Sequence, residues 1–242
     1  MFSKKINVRY SEMDYKLALK PSALLNYFQD IASENAEKLG FGYSYIIEKN
    51  LAWFLLKYHI EFSDYPVEEY ELTVNTEPRG YQKLFAFRDF ELCNKEKTFA
   101  SAISSWALVD IENGKLSPIK EALSNNPQMP IFEKRDSDLS FTKIQTPQNI
   151  SIEKTFEIRY DDIDVNQHAN NCNYIIWALE PLSLDFKSNH HLKTVDIVYK
   201  KEIKYGNNVL SQIEIVDETH TNHLLKNVET GEDLCVLNIE WD

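Results

Sequence analysis

The sequence is poor in glycine and cysteine, and it has no long apolar run. Only 6 of its 242 residues are glycine, so the chain offers no glycine-rich loop of the kind that cradles phosphate groups. Its 3 cysteines are odd in number and far apart, which argues against a disulfide framework or a CxxC metal site and favours a reducing compartment. No apolar run approaches the roughly 18–20 residues that span a bilayer, so we expect no membrane segment.

Positive charge is also scarce. The chain has 26 Lys and Arg against 38 Asp and Glu, a formal net charge of −12, which disfavours binding to nucleic acids and anionic membranes. The hydrophobic share of 43% and the charged share of 26% are those of an ordinary globular protein. The first residues lead directly into a strand pattern without a signal or transit segment, and we expect a cytoplasmic protein.

A polar motif is the most informative part of the sequence. Asp164, Asn166 and His168 occupy alternate positions, and in an extended segment side chains two residues apart point to the same side. The spacing therefore predicts that they converge, and a carboxylate, an amide and a base are the groups that acyl transfer or hydrolysis needs. Asn170 then precedes an apolar run and is a favoured helix N-cap. The alternative is a polar turn that only caps this helix.

The chain contains a second copy of this region. At an offset of 150 residues, segment 8–14 aligns with segment 158–164, with Arg, Tyr and Asp identical. Beyond the match, Lys16 stands in place of Asn166 and Ala18 in place of His168. We infer a duplicated domain with a single working site.

Both copies predict one helix followed by long strands, which is an α+β pattern. We assign residues 1–121 to a first domain, 122–150 to a connector and 151–242 to a second domain. The helices are predicted near 21–39 and 171–182, and the strands near 4–10, 52–62, 70–76, 84–92, 99–110, 155–160, 194–204, 209–216, 223–227 and 234–241.

Glu202 is a fourth candidate residue. It lies in the predicted strand that follows the second helix, among lysines and apolar residues. In the same domain this strand is expected to lie next to the start of the helix. The alternative is an exposed acid paired with Lys200 or Lys204.

These residues carry a resemblance to the acyl-acyl-carrier-protein thioesterases. The segment 162–171 with Tyr174 and Trp177 resembles the family's signature motif, and 199–202 is similar to a second family segment. Similar blocks in the first half make the match span nearly the whole chain: 78–80, 84–90 and 104–110. The resemblance implies a tandem double hot-dog, each fold a central helix wrapped by an antiparallel sheet. It places the chemistry in the second fold and acyl-chain selection in the first, and the missing transit peptide favours a bacterial member.

The resemblance also implies the roles of the site residues. Asp164, Asn166, His168 and Glu202 match the family's catalytic set. Asn166 and a backbone N–H near Asn170 would polarise the thioester carbonyl, while His168 and Glu202 would hold and deprotonate the attacking water. Asp164 would either orient its neighbours or attack directly. No metal and no cofactor is expected.

Two expectations concern other positions. Many plant members carry cysteine directly after the catalytic Glu, but in this chain the position is Ile203. We therefore expect no cysteine nucleophile there, and we do not assign that role to Cys172.

In the first domain, Phe28 on the helix and Trp53 on the first long strand are candidates to bind the acyl chain. The alternative is that both are plain core residues.

The predicted reaction is hydrolysis of fatty acyl-acyl-carrier protein to a free fatty acid in fatty-acid biosynthesis. The alternatives are an acyl-CoA thioesterase, a hot-dog 3-hydroxyacyl dehydratase and a non-catalytic acyl-binding module.

An acidic carrier protein needs a local basic patch on this acidic chain. Chain length and oligomeric state, a homodimer included, stay open. Five lysines near the predicted active strand are candidates for the patch: Lys187, Lys193, Lys200, Lys201 and Lys204.

Overall fold

The computed structural model describes residues 1–123 and 129–242. These residues form two compact units, the first from residues 1–58 and 63–140 and the second from residues 59–62 and 141–242. Part of the predicted connector, 124–128, lies outside the described residues. Within the described residues, every helix is too short or too polar to cross a bilayer.

The first unit contains two main helices and a sheet whose strands run in the order β1-β3-β4-β5-β2, with β6 paired to β5. The pairs β1–β3, β3–β4, β4–β5 and β5–β6 are antiparallel. The elements in chain order are β1 (Phe2–Asn7), a 3-10 turn (Tyr10–Glu12), α1 (Pro21–Lys38), α2 (Tyr43–Glu48), β2 (Leu51–Phe62), β3 (Glu71–Gln82), β4 (Phe85–Cys93), β5 (Thr98–Asp110), β6 (Leu116–Ser117) and α3 (Ile119–Ala122).

Helix α1 is the centre of this unit. Pro21 occupies its first turn, where the missing N–H costs nothing, and Gly40, with φ of 78°, follows its end, as is usual for a helix C-terminus. Phe28 on its buried face is 0% exposed. The Phe28 ring stacks on Phe90 of β4 at 4.7 Å and lies 6.4 Å from the ring of Tyr58 of β2. The sheet therefore wraps the helix.

The second unit repeats this plan with a shorter helix. Its sheet runs in the order β8-β11-β10-β9-β7, with antiparallel pairs throughout. Each unit has the helix-on-sheet arrangement of a hot-dog fold, which confirms the predicted α+β double hot-dog class. The elements are β7 (Ile152–Glu157), a 3-10 turn (Tyr160–Asp162), α4 (Asn171–Leu179), α5 (Leu184–Asn189), β8 (Leu192–Tyr199), β9 (Asn208–Ile215), β10 (His220–Asn227) and β11 (Asp233–Trp241).

The internal duplication is visible in the structure. The strands β1 and β7, the two 3-10 turns and the starts of α1 and α4 each lie 150 residues apart. The loop before each helix also has one residue with positive φ, 62° at Leu17 and 65° at Gln167. The sequence offset is therefore an offset between equivalent structural positions.

Several elements differ from their predictions. Strand β8 ends at Tyr199, so the predicted strand 194–204 is too long and Glu202 lies in a loop. The helices α2 and α5 were not predicted, because six residues are too few to show a helical period.

The predicted connector is divided between the two units after residue 140. Its early part packs on the first unit, where Ile131 pairs with Tyr81 and the Arg79 guanidinium donates to the Glu133 carbonyl at 3.2 Å. The predicted domain boundaries therefore stay a prediction.

A buried histidine lies behind α4 in the second unit. His223 of β10 is fully buried, with Nδ1 2.9 Å from the Ala178 carbonyl oxygen and Nε2 2.8 Å from Thr221 Oγ1. Trp241 Nε1 donates to the same Thr221 hydroxyl at 2.8 Å. Burial lowers the pKa of His223 to about 4 from its ordinary 6.5, because a charged imidazole would lose its hydration. The ring is therefore neutral at physiological pH.

This shift predicts a pH-dependent free energy of unfolding. Between about pH 6.5 and pH 4 the unfolded chain binds a proton at His223 that the folded chain does not. The contribution is therefore complete above about pH 6.5 and is lost as the pH falls towards 4, to a total on the order of 3 kcal/mol. Urea unfolding across this pH range should show the slope in the wild type and a smaller one in His223→Gln. The exposed His220→Gln is the matched control, and an unchanged slope in His223→Gln would contradict the assignment.

Candidate functional site

The polar motif forms a tight loop and not an extended segment. Ile163 and Ala169 pair as an isolated antiparallel bridge, the Asp164 N–H donates to the His168 carbonyl at 2.8 Å, and the Gln167 N–H donates to the Asp164 carbonyl at 3.0 Å. The period-two argument for convergence is therefore wrong. The residues of the motif do lie close together, but a turn with positive φ at Gln167 brings this about.

Asp164 holds this loop with its side chain. Its carboxylate accepts from the backbone N–H of Asn166 at 2.8 Å and is 3.4 Å from the Asn166 side-chain nitrogen. In the first unit the Asp14 carboxylate accepts from the N–H of Lys16, also at 2.8 Å. This side chain-to-backbone turn is a common use of Asp. Because the copy without the histidine keeps it, Asp164 has a structural role that is independent of chemistry.

His168 meets Glu202 across two loops. The His168 Nδ1 atom lies 3.2 Å from the Glu202 Oε2 atom, and the two side chains are 25% and 38% exposed. The pair is therefore accessible to a ligand. The Ala169 N–H donates to the Ile203 carbonyl at 2.9 Å, and the Tyr174 hydroxyl donates to the Lys201 carbonyl at 3.3 Å. These bonds fix the 200–206 loop against the motif. The sequence did not predict the bond to Lys201, although Tyr174 belongs to the signature motif.

The charges around Glu202 shift its acidity. Burial raises the pKa of Glu202 above its usual range, and the nearby Asp164 carboxylate raises it further, while His168 and Lys204 lower it. The Asp164 N–H donates to the His168 carbonyl at 2.8 Å, so the Asp164–Asn166 pair lies beside the His168–Glu202 pair. A carboxylate with a raised pKa is a better proton acceptor near neutral pH than an ordinary one.

Asn170 caps helix α4. Its side chain accepts from the Cys172 N–H at 2.9 Å, as predicted for a helix N-cap, and its own N–H donates to the Asp162 carbonyl at 2.8 Å. The Asn170 N–H itself is therefore occupied, and the predicted donation from a backbone N–H near Asn170 stays a prediction. Among the described residues, the N–H groups of His168 and Asn171 have no hydrogen-bond acceptor.

The structure separates the other candidates. Cys172 is buried in α4, and Ile203 is buried beside Glu202, so neither position presents a nucleophile at the surface of the site. Phe28 is a fully buried core residue. Trp53 is partly buried, donates from Nε1 to the Phe41 carbonyl at 3.0 Å and lines a cavity of about 80 Å³ in the first unit, whereas Phe28 does not.

The predicted basic patch is largely neutralised. Lys187, Lys193, Lys200 and Lys201 each lie at ion-pair distance from a carboxylate: Glu180, Glu240, Asp233 and Glu232 respectively. Lys204 makes no ion pair among the described residues. Its charge acts on Glu202. Within the same residues, no three His, Cys, Asp or Glu side chains are arranged to hold a metal ion.

Comparison with known families covers nearly the whole chain. The acyl-ACP thioesterase N-terminal domain matches residues 1–126, and the acyl-ACP thioesterase C-terminal domain matches residues 145–242. The chain belongs to the acyl-ACP thioesterase family. The C-terminal match contains the loop motif and Glu202, and the N-terminal match contains Trp53 and the other residues that line its cavity except Met129.

Relatives within the family are distant in sequence. A chloroplastic acyl-[acyl-carrier-protein] hydrolase of Cuphea viscosissima is 25% identical over 260 residues, covering 99% of this chain and 62% of the relative. A chloroplastic oleoyl-acyl carrier protein thioesterase of Arabidopsis thaliana is 22% identical over 280 residues, covering 99% and 76%. The chain thus spans less than two thirds of the Cuphea relative's length.

Solved structures share the fold along the entire chain. An acyl-ACP thioesterase from Bacteroides thetaiotaomicron has a TM-score of 0.87 at 21% identity, covering 100% of this chain and 97% of that one. A 12:0-ACP thioesterase from Umbellularia californica also has a TM-score of 0.87, at 18% identity, covering 100% and 96%. These likenesses show the double hot-dog fold.

The charges around Glu202 predict a measurable change in the pKa of its carboxyl group. Lys204→Gln removes a positive charge that lowers the pKa of Glu202, so this pKa should rise further. Carboxyl ¹³C NMR titration of glutamate-labelled protein reports it directly. Lys200→Gln is the matched control, because Lys200 pairs with Asp233 at 2.8 Å. A Glu202 pKa that moves equally in both variants would contradict the assigned cause.

Proposed function

We propose that the chain hydrolyses a fatty acyl-acyl-carrier-protein thioester to a free fatty acid. The observation that carries the proposal is the approach of His168 Nδ1 to Glu202 Oε2, 3.2 Å, beside the Asp164–Asn166 pair. Family membership supports the reaction class, and the relatives that match nearly the whole chain are named as thioester hydrolases of acyl-carrier protein.

The proposed mechanism divides the work between the two pairs. Asn166 donates a side-chain N–H to the thioester carbonyl oxygen, where negative charge develops, and one such donor is typically worth ~10²–10³ in rate. The N–H of His168 or Asn171 supplies a second donor. His168 and Glu202 hold a water and accept its proton, for roughly 10²–10⁴. The hydroxide oxygen forms a bond to the carbonyl carbon, the carbon–sulfur bond breaks, and the sulfur takes up the proton held by the His168–Glu202 pair and leaves as the thiol.

Asp164 acts as a positioning residue in this mechanism. It accepts from the Asn166 backbone at 2.8 Å and lies 3.4 Å from the Asn166 side-chain nitrogen, which fixes the amide in the site. Asp14 makes the same loop contact in the first unit, where His168 has no counterpart. The orienting role therefore explains why a carboxylate is present at position 164, and the mechanism does not need Asp164 to attack the thioester and form an anhydride.

The proposal extends to the carrier protein and the compartment. We propose that an acidic carrier contacts Lys204, which acts on Glu202 and is the one lysine of the predicted patch without an ion pair among the described residues. We propose a bacterial cytoplasm, because none of the three cysteines forms a disulfide, as is usual in a reducing compartment.

Removing either member of the His168–Glu202 pair tests the function. His168→Gln and Glu202→Gln should each lower hydrolysis of acyl-acyl-carrier protein by roughly 10²–10⁴, followed by release of free thiol, with an unchanged melting temperature. Cys172→Ser is the matched control and should stay active. Near wild-type turnover in either variant, with the fold intact, would sink the assignment.

The same assay separates the alternative functions. Equal or better release of thiol from acyl-CoA would show that the carrier is CoA. Formation of an enoyl thioester from a 3-hydroxyacyl substrate without free thiol would show a dehydratase. Absence of turnover with tight acyl-thioester binding would show a binding module.

The first unit is proposed to select acyl-chain length. Trp53 lines the cavity, so Trp53→Leu should enlarge it and shift the released acids towards longer chains, within the roughly 1–3 kcal/mol that one methylene is worth. Phe28→Ala should instead cost about 3–5 kcal/mol of stability, because Phe28 is fully buried. Gas chromatography of the released acids, with thermal melts, distinguishes the two variants. An unchanged acid profile with a large fall in melting temperature for Trp53→Leu would contradict the pocket assignment.

A further inference from the structure

The first unit's cavity contains a buried cation. Its volume is about 80 Å³, several times the roughly 10–15 Å³ that one water molecule needs on the same measure. Most of the residues around it are apolar or aromatic, and Arg88 of β4 is the charged one. The cavity is lined by Ala32, Ser33, Phe41, Trp53, Pro78, Ala86, Phe87, Arg88, Trp106 and Met129.

Arg88 has only neutral hydrogen-bond partners. It is 6% exposed, and its Nη1 donates to Asn35 Oδ1 at 2.9 Å and to Thr76 Oγ1 at 3.1 Å. Within residues 1–123 and 129–242, Nε and Nη2 have no acceptor and Arg88 makes no ion pair. The remaining segment, 124–128, contains no Asp or Glu, so the chain brings no carboxylate to this guanidinium.

Another arginine of the same unit shows how a buried positive charge is usually balanced. Arg79 of β3 is also buried, and its guanidinium is paired with Asp89 at 2.6 Å and with Asp138. Buried charges are normally paired in this way, because removing an ion from water is costly. Burial lowers the pKa of Arg88 to about 10, so the side chain is still charged at neutral pH and its charge is not balanced.

We propose that this cavity is a binding site for a carboxylate carried on a short apolar chain. The carboxylate would accept from the free guanidinium nitrogens of Arg88, a planar fork that suits two oxygens. The chain would lie against Trp53 and Trp106. This binding step goes beyond thioester hydrolysis and does not depend on it.

Two sources supply such a carboxylate. One is a free short-chain acid, and the other is the far end of a carrier-bound acyl chain that carries a second carboxyl group. Because Trp53 lines the same cavity, a bound carboxylate and a methyl-ended acyl chain would exclude each other there.

Binding to the whole protein tests the proposal without turnover. Butyrate, at constant ionic strength, should raise the melting temperature with increasing concentration and change tryptophan fluorescence, because Trp53 and Trp106 line the cavity. Butyramide, which has nearly the same shape and no charge, should do neither. Equal effects of butyrate and butyramide, or no effect of butyrate, overturn the proposal.

Variants locate the effect. Arg88→Met should weaken butyrate binding by roughly ten- to a hundredfold, and an apolar side chain of similar volume is often tolerated at a buried charge. Arg135→Met is the matched control, because Arg135 is exposed and paired with Glu77, and it should bind as the wild type. Unchanged binding in Arg88→Met overturns the proposal.

A second variant keeps the test decisive if Arg88→Met does not fold. Ala86→Val narrows the cavity and leaves Arg88 in place, so it should also weaken butyrate binding, and undiminished binding in this variant overturns the proposal.

Kinetics distinguish the two sources. A higher kcat/KM for an adipoyl than for a hexanoyl carrier thioester, lost in Arg88→Met, identifies the carrier-bound carboxyl. Butyrate binding without that preference identifies the free acid. Failure of the hydrolysis proposal would appear as absent turnover with butyrate binding intact.

Discussion

One backbone hydrogen bond governs the geometry of the site. The Ala169 N–H donates to the Ile203 carbonyl, and each of these residues directly follows a member of the His168–Glu202 pair. This bond therefore holds the two loops together at the point where the proposed mechanism needs a proton to be transferred. Proton transfer requires heavy atoms within about 2.6–3.2 Å, and the separation of His168 and Glu202 lies at the upper end of this range. The buried Ile203 side chain anchors the bond from the core.

Comparison of the two units distinguishes the features that belong to the fold from those that belong to the candidate site. Both units have a loop closed by an Asp carboxylate and a residue with positive φ, followed at once by the central helix. The turn is therefore a property of the fold. The second unit adds His168 where the first has Ala18, and Glu202 completes its site. A short helix such as α4 is sufficient there, whereas the first unit's longer α1 provides the side of the cavity that contains Ala32.

The sequence predicted the parts of the fold that repeat regularly. Apolar periodicity located both central helices, and the 150-residue offset identified two equivalent units. Prediction from the sequence failed where the structure depends on contacts between distant segments of the chain. Nothing local to residues 200–204 shows that β8 must end at Tyr199, since that end depends on bonds to Tyr174 and Ala169. The four catalytic candidates could be named from residue type and family resemblance, but the reason for their convergence could not, because it is a turn at Gln167. The sequence predicted a backbone donor near Asn170, but it could not show that the Asn170 N–H bonds to the Asp162 carbonyl, a partner that only the folded loop reveals.

Three buried titratable groups show how the protein manages charge away from water. His223 is neutral at physiological pH, because its pKa is lowered to about 4. Arg79 retains its charge and is balanced by two carboxylates. Arg88 can use neither solution, because its pKa of about 10 leaves it protonated and its partners are an amide and a hydroxyl. An anion that enters the cavity would balance this charge, and this is the physical basis of the carboxylate site proposed for the first unit.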